Sequence, residues 1–219
     1  MVFNGTITGT PALATGSETD PYRISTAEGL KWFRDKVNNA KTPDETKICA
    51  VLTADIDLNN EEWTPIGPSE SSAYTGTFDG QGHTISHVTV IAPERENAGF
   101  FNVIKGATIR DLKLVDVKIT GKTNVGGLAG STQVQLDSSD LSKNVANLIG
   151  GCSVSGTVTG TKNVGGLVGL NYCAGFLDDQ PSPDLCRSTT ALMAKHAAHF
   201  KQVGGIEIIG LGSDFDGIG

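Results

Sequence analysis

The sequence is poor in aromatic residues and in charges, and it contains no long apolar run. Among its 219 residues are 8 Phe, 3 Tyr and 2 Trp, and charged residues make up 19%. A membrane-spanning helix needs about 18 or more consecutive apolar residues, so we predict no membrane span. The first residues also lack the basic and apolar segments of a secretion signal, and we expect no signal peptide in this chain.

Positive charge is scarce relative to negative charge. The 17 Lys and Arg residues against 24 Asp and Glu residues give a formal net charge of −7. Nucleic-acid binding depends on basic side chains that neutralise phosphates. The composition therefore argues against a nucleic-acid partner.

Cysteine is also scarce and irregularly spaced. Cys49, Cys152, Cys173 and Cys186 show no C-x-x-C spacing, which excludes a zinc ribbon or a thioredoxin-type motif. We interpret these residues as small buried side chains.

Glycine, in contrast, is abundant, and part of it lies in a repeat. There are 28 Gly residues, nearly twice the usual share, which is typical of a β-rich chain with many tight turns. Residues 119–130 and 158–169 share the pattern Val/Ile-Thr-Gly-x-x-Asn-Val-Gly-Gly-Leu-x-Gly at an offset of 39 residues. A weaker copy at 97–101 precedes residues 124–128 by 27 residues.

Strand-like segments recur in front of these copies. Residues 84–90 align with 108–114 at an offset of 24 and, more loosely, with 148–154. The basic unit is therefore about 25 to 27 residues long, and the longer spacing implies an inserted loop at about 131–146. Units of this length cannot bury a face alone, but stacked neighbours build a continuous core. The pattern predicts a mainly β fold, a parallel β-solenoid.

Glycine pairs and a helix complete the predicted architecture. We expect the Gly-Gly pairs at 126–127 and 165–166 to form sharp corners. Ser25 and Glu28 make a capping box for a helix at about 26–38, in which Leu30, Phe33 and Val37 share one face. This helix is expected to cover the first open edge of the solenoid.

The segment after the helix predicts one strand. From Ile48 to Leu58 the apolar residues alternate, with Leu52, Ala54 and Ile56 on the same face as Leu58. The aromatic side chains that follow could stack on a sugar ring in an exposed groove or pack inside the first coils, and we favour packing for Trp63, Tyr74 and Phe78.

We interpret the polar residues of this region as structural rather than metal-binding or catalytic. Asp55 and Asp57 begin an EF-hand-like pattern with Asn59, but the required Gly and Glu positions are not filled, so we expect the acids to face solvent. His83 and His87 share one face of an extended segment. With no neighbouring cysteine or flanking carboxylate pair, we interpret them as structural.

A β-helix enzyme acting on polysaccharides is a further alternative. It would need paired carboxylates or a basic cluster at one strand level of successive coils. The aligned pairs Ser86 with Arg110 and His87 with Asp111 do not build such a cluster.

Five motifs in order carry a resemblance to a known group of repeat proteins. They are Asp20-Pro-Tyr-Arg-Ile-Ser-Thr-Ala-Glu28, Leu52-Thr-Ala-Asp-Ile-Asp-Leu58, Trp63-Thr-Pro-Ile-Gly67, Thr75-Gly-Thr-Phe-Asp-Gly-Gln-Gly-His-Thr-Ile-Ser86 and the two Asn-Val-Gly-Gly-Leu-x-Gly copies. These residues resemble the bacterial GLUG-motif repeat proteins over about residues 1–169. The resemblance implies a right-handed β-helix-like region of an adhesin-like surface or secreted protein, without agreed catalytic residues.

The remaining residues, 170–219, lose the repeat and read as loop, helix and strand. Gly169-Leu-Asn-Tyr172, Phe176-Leu177 and Gly212-Ser-Asp-Phe-Asp-Gly217 resemble the membrane (renal) dipeptidase family of zinc peptidases. The resemblance implies a short α/β fragment of a (β/α)8 barrel, with Asp214 as the catalytic acidic residue and Asp216 as a second candidate. A barrel takes about 250 residues, so this piece cannot close one.

The resemblance implies that most zinc ligands of the dipeptidase family come from segments upstream of this match. In this chain the repeat occupies that upstream part. A His-x-Asp pair, a bridging Glu and two further His residues are required by the family. His196 and His199 lie three apart on the predicted helix, whereas a helical metal pair is usually H-x-x-x-H, so we interpret them as solvated. No cofactor is expected, except zinc under the dipeptidase alternative.

Both resemblances meet at Val164-Gly-Gly-Leu-Val-Gly-Leu-Asn171, which suggests a chimeric or fragmentary chain. The favoured hypothesis is a non-catalytic structural or adhesive β-solenoid segment of a bacterial cell-surface or secreted protein. Its expected partners are a surface glycan or a host or cell-envelope protein. The alternative is a zinc-dependent dipeptidase, and the oligomeric state stays open.

Overall fold

The repeated segments form short strands that lie beside one another in parallel. The computed structural model describes residues 14–136, 139–140 and 143–168. In these residues α1 spans Ala27–Asn38, and 3₁₀ helices span Pro43–Lys47 and Glu70–Ser72. The strands are β1 (Tyr22–Ile24), β2 (Ala50–Leu52), β3 (Ile56–Asp57), β4 (Thr77–Asp79), β5 (Thr84–Ser86), β6 (Thr89–Ile91), β7 (Glu96–Ala98), β8 (Phe101–Lys105), β9 (Thr108–Arg110), β10 (Lys113–Thr120), β11 (Thr123–Gly126), β12 (Ala129–Gln133), β13 (Leu148–Gly150), β14 (Ser153–Thr159) and β15 (Lys162–Gly165).

Each strand pairs with a strand from an earlier or later pass of the chain. The two larger sheets have the orders β1-β2-β4-β9-β13 and β14-β10-β5-β3, and β6 also pairs with β10. The smaller sheets have the orders β15-β11-β7 and β12-β8. All of these pairings are parallel. The mainly β, parallel prediction is therefore confirmed. We call these sheets the stack, and β13, β14 and β15 its last layer.

The Asn-Val-Gly-Gly-Leu repeats lie in register with one another. Val125 pairs with Ala98 on one side and with Val164 on the other, and Ile119 pairs with Val158. Both predicted offsets between these copies are thus confirmed. The sequence similarity reflects physical stacking, because equivalent residues of each copy occupy equivalent places in neighbouring strands.

The predicted alignment of residues 84–90 with 108–114 is wrong as a pairing. Thr84 pairs with Lys113, and Thr108 pairs with Thr77. Both segments have a buried Ile between two outward-facing residues, so their likeness records the same inward and outward alternation rather than contact. The looser match of 84–90 to 148–154 is likewise wrong as a pairing, since Leu148 pairs with Thr108.

The helix α1 is present, but its N-cap differs from the prediction. Thr26, not Ser25, is the cap: its backbone is extended, with φ −138° and ψ 159°, and its hydroxyl accepts a hydrogen bond from the N–H of Gly29 at 3.1 Å. Leu30, Phe33 and Val37 are fully buried in the core. The apolar spacing located the helix, whereas the capping motif was one residue off.

The predicted strand at 48–58 is two strands in two different sheets. Residues 53–55 separate β2 from β3, so the chain turns a corner between them. Leu52, Ile56 and Leu58 are nevertheless all buried. The alternation therefore identified the inner face correctly, but it could not show the change of sheet.

The predicted loop at 131–146 begins later than expected. Residues 131–133 belong to β12 and pair with β8, which corrects that boundary. Beyond them Gln135 and Val145 form an antiparallel bridge, with N–H···O distances of 2.9 Å in both directions. The sequence did not predict a strand at 131–133 because these residues are polar, and in the structure their side chains lie partly outside the core.

Aromatic side chains fill the core of the first passes. Trp63, Tyr74 and Phe78 are 2%, 0% and 0% exposed, which confirms packing over sugar stacking for these three. Trp63 stacks on Phe100 at 5.0 Å between ring centroids and donates to the Phe100 carbonyl at 3.0 Å. Phe33 of α1 contacts Phe78 edge-on at 5.8 Å. The helix is thereby joined to the stack through rings.

Candidate functional site

An acid–histidine row crosses the outward face of the second sheet. We use this name for Asp55, Asp57, His83, His87 and Asp116. His83 Nδ1 lies 3.1 Å from Asp55 Oδ1, and His87 Nδ1 lies 2.7 Å from Asp57 Oδ1. Asp55 and Asp57 both face outward because they lie on either side of buried Ile56. Each pair therefore connects the chain at β3 to the chain around β5. The predicted solvent-facing position of both acids is confirmed.

Hydrogen bonds favour the ionised form of two carboxylates of this row, Asp55 and Asp57. The Thr84 N–H and then His83 lower the pKa of Asp55 below its ordinary value. The Asn59 N–H and then His87 do the same for the pKa of Asp57. Donors to a carboxylate favour its charged form, so these contacts are strongest while the acids remain deprotonated.

A third carboxylate lies on the other side of His87. His87 Nε2 is 3.9 Å from Asp116 Oδ2, and both residues have positive φ, 57° and 54°. The sequence alignment of His87 with Asp111 is wrong, because β5 pairs with the start of β10. The row places His87, which directly follows β5, between Asp57 of β3 and Asp116 of β10.

This row can orient a histidine ring, but it stands in open solvent. The side chains of His87, Asp57 and Asp116 are 37%, 50% and 69% exposed. A general base normally works within a cleft that holds the substrate. Among the described residues no group of three or more His, Cys, Asp or Glu side chains is arranged to hold a metal ion. The geometry favours a tie between neighbouring strands.

An outer groove lies on the outward face of the first sheet. It has a volume of about 510 Å³, and we define it by Arg23, Val51, Thr77, Asp79, Gln81, Thr108 and Arg110, together with Glu18, which precedes β1 and also lines it. Strand pairing puts Arg23, Val51, Asp79 and Arg110 in one row across four strands. Thr77 and Thr108 are paired in the parallel row beside it.

The centre of the outer groove is a satisfied carboxylate. The Asp79 side chain is 7% exposed and lies 2.6 Å from Arg110 Nη2. Gln81 donates to Asp79 through its backbone N–H at 2.9 Å and its side-chain amide at 2.7 Å. A buried charge is tolerated when it is paired and hydrogen-bonded, so this trio is fixed in place.

Stacked asparagines mark a corner that was missed in the sequence. Asn124 Nδ2 donates to Asn97 Oδ1 at 2.8 Å, and Asn163 Nδ2 donates to Asn124 Oδ1 at 2.7 Å. All three have φ between 54° and 58°, a conformation that asparagine tolerates better than most residues. Asparagine at the same place in each copy was the available signal.

The chain bends at the Gly-Gly pairs, as predicted, but not through the positive φ that glycine permits. Gly126 and Gly127 do not have positive φ, although the chain bends at residues 127–128. A Cβ on Gly127 would lie 2.4 Å from the carbonyl oxygen of Gly166. The glycine is therefore required by the close approach of the next pass.

Several predicted residues lie outside the described part of the chain. They are Cys173, Cys186, His196, His199, Asp214 and Asp216. Of the other cysteines, Cys49 is buried and Cys152 is half-buried, both as free thiols. Burial raises the pKa of the Cys152 thiol, which suits a packing role. No helix among residues 14–136, 139–140 and 143–168 is long and apolar enough to cross a membrane.

Sequence comparison finds two separate similarities. The membrane dipeptidase family (peptidase family M19) matches residues 158–219. Halomucin of Haloquadratum walsbyi is 27% identical over 162 residues, which cover 70% of this chain and 2% of halomucin. The chain thus spans a small fraction of that relative's length.

Structure comparison finds a likeness in fold. The crystal structure concerned is of a Bacteroides ovatus protein proposed to be an immunoglobulin A1 protease. The TM-score is 0.50 and the identity 22%, and the match covers 64% of this chain and 39% of that chain. At this identity the likeness concerns the fold alone.

The dipeptidase match overlaps the stack. Of the matched residues, 158–168 are described, and they include the end of β14 and all of β15. They pair in parallel with β10 and β11, and Val168 bridges to Ala129. These eleven residues therefore follow the repeat in structure.

Proposed function

We propose that the described residues form a β-solenoid that serves as a non-catalytic structural or adhesive segment of a bacterial cell-surface protein. The main support is that successive passes pair in parallel in every sheet while polar rows face outward. Such a stack offers a long, rigid surface, which suits a spacer or an adhesive face. A surface glycan or a cell-envelope protein is the partner class.

The comparisons support this proposal in different ways. The similarity to halomucin extends over most of the stack, and the Bacteroides fold likeness covers a comparable share. The acid–histidine row lies exposed on a sheet rather than in a cleft. No step of the proposal requires a cofactor.

Surface labelling tests this function directly. Antibodies raised against the whole chain are applied to intact and to permeabilised cells of the bacterium that produces it. We expect equal labelling of both, with loss of the signal when intact cells are first treated with an external protease. Labelling that requires permeabilisation would contradict a surface location.

A second candidate function is zinc-dependent dipeptide hydrolysis, favoured by the family match at 158–219. Under this alternative Asp214 is the catalytic acidic residue, with Asp216 beside it, and zinc would polarise the peptide carbonyl and activate water. A catalytic zinc needs about three protein ligands and an open position.

Zinc content and hydrolysis decide between the two functions. The full chain is dialysed against trace zinc, and bound metal and dipeptide turnover are measured on one sample. We expect neither stoichiometric zinc nor turnover. One or two zinc ions per chain, with turnover that Asp214→Asn abolishes and Asp116→Asn leaves intact, would establish the dipeptidase instead.

A further inference from the structure

We propose that the outer groove binds a carboxylate-bearing glycan chain, with Arg23 and Arg110 as the recognising residues. This inference rests on the adhesive function proposed above and gives it a site and a ligand class. The groove was not among the sequence candidates, because its residues come from four strands that lie far apart in sequence.

The rows of the first sheet provide an extended, open binding surface. Arg23, Val51, Asp79 and Arg110 are in register across β1, β2, β4 and β9. Neighbouring parallel strands are about 4.8 Å apart, so the two arginines are separated by three strand spacings. A ligand that contacts both must run along the stack, across the strands. A linear oligosaccharide has this shape.

Arg23 and Arg110 supply free hydrogen-bond donors to the groove, while Glu18 adds a carboxylate that only accepts. Among the described residues the Arg23 guanidinium has no hydrogen-bond or ion-pair partner, and the residue is exposed. Arg110 uses Nη2 on Asp79, and its side chain is 53% exposed and lines the groove, so further N–H groups remain for a ligand. A guanidinium has five N–H donors arranged to match a carboxylate.

Two acidic residues line the groove, Glu18 and Asp79, and Asp79 does not oppose an anionic ligand. All three contacts of Asp79 come from Arg110 and Gln81, so its charge is already neutralised. Those contacts also fix the Gln81 amide, leaving its oxygen as an acceptor for a sugar hydroxyl. The Thr77 and Thr108 hydroxyls lie in the adjacent row. Carboxylate recognition at the ends and hydroxyl recognition between them fit a uronic-acid oligomer.

The test compares tetragalacturonate with its fully methyl-esterified form. The ester keeps the ring shape and hydroxyls but removes the charges, and binding is measured by isothermal titration at low and at physiological salt. We expect the acid to bind at least tenfold more tightly than the ester. Equal binding of both forms, or binding of neither at millimolar concentration, would overturn the proposal.

Single substitutions locate the site. Arg23→Gln is expected to weaken tetragalacturonate binding about tenfold without loss of fold, because this side chain contacts no described partner. Arg110→Gln is expected to weaken it similarly, but it also uncovers Asp79, so its fold is checked by circular dichroism. Lys118→Gln is the matched control, since Lys118 is an exposed cation on β10 in the other large sheet.

The control separates this site from general charge attraction. An equal loss with Lys118→Gln would mean that any surface cation suffices, and the groove assignment would be wrong. Surface labelling of intact cells is independent of this result. A labelled surface with no tetragalacturonate binding would reject the glycan site alone, whereas binding by an intracellular protein would reject the adhesive function.

Discussion

The inner layers of the stack and its last layer use similar residues but are buried to different degrees. Val125 is 0% exposed, whereas its pairing partner Val164 is only half-buried. Ile109 is 0% exposed, whereas Ile149, directly beside it, is again half-buried. The motif determines which way a side chain points, and the number of neighbouring layers determines how deeply it is buried.

The two ends of the stack also differ in what covers them. At the first end α1 places Leu30, Phe33 and Val37 over the core, all fully buried. In the last layer, β13, β14 and β15 each pair on one side only within the described residues. Leu148 of β13 is 61% exposed. Substitutions in the last layer should therefore cost less stability than matched substitutions in the inner layers.

The largest difference is expected between Ile109→Ala and Ile149→Ala. Removing a fully buried Ile side chain leaves a cavity and typically costs about 2–5 kcal/mol. The half-buried Ile149 loses less contact, so we expect about 1 kcal/mol. The measurement is the free energy of unfolding in urea, with equal slopes required for both variants. Equal losses would mean that the last layer is as well covered as the layer before it.

A smaller difference is expected between two glycines in equivalent positions. An added Cβ on Gly127 would lie 2.4 Å from the Gly166 carbonyl oxygen and 2.4 Å from Val154 Cγ1. On Gly166 it would meet nothing within 4 Å among the described residues. We therefore expect Gly127→Ala to cost about 1–3 kcal/mol by overpacking, and Gly166→Ala to change stability by less than about 0.5 kcal/mol.

Thermal and urea unfolding of both alanine variants test this pair. Neither glycine has positive φ, so the comparison is free of backbone strain. A large loss in Gly166→Ala would show that a further segment packs on the outer side of the last layer.

The covering of the first end depends in part on the cap of α1. Thr26→Ala removes the hydroxyl that accepts from Gly29 at 3.1 Å, and loss of such a cap costs about 1 kcal/mol. Thr26→Ser keeps the acceptor and serves as the control. Helix content by circular dichroism and the urea midpoint are the readouts, and a Thr26→Ala variant as stable as Thr26→Ser would contradict the assigned cap.

The sequence predicted the repeating layers well because their chemistry is periodic. The spacing of Leu30, Phe33 and Val37 located the helix, and the two copies of Asn-Val-Gly-Gly-Leu gave the correct partners for β11 and β15. Pattern matching cannot separate two segments that share an inward and outward alternation. For this reason Thr84 was aligned with Thr108 instead of Lys113.

The candidate sites were harder to predict than the layers. The acid–histidine row depends on bends at His87 and Asp116, both with positive φ, which no local sequence pattern indicated. The outer groove joins Arg23 to Arg110 through four strands, and no local motif contains both. The residues of such a site can be grouped only when the pairing register of every layer is known.

The smallest effect expected is a pH dependence of the tie between β3 and its neighbour. Asp57 has a lowered pKa in the folded chain, through the Asn59 N–H and His87. A carboxyl whose folded pKa is lower than its unfolded value of about 3.8 stabilises the fold above that value. This contribution is lost as the pH falls from about 4 through the folded pKa.

Asp57→Asn should therefore be less stable than the natural chain at pH 7, and the gap should narrow by pH 3. The urea midpoints of both proteins are compared at the two pH values. Glu94→Gln controls for the loss of one exposed negative charge, since the Glu94 side chain is 89% exposed and 3.7 Å from Lys122. A gap for Asp57→Asn that is as wide at pH 3 as at pH 7 would show that the His87 contact does not depend on the carboxylate charge. The effect stays small because the pair is exposed, and solvent screens such interactions.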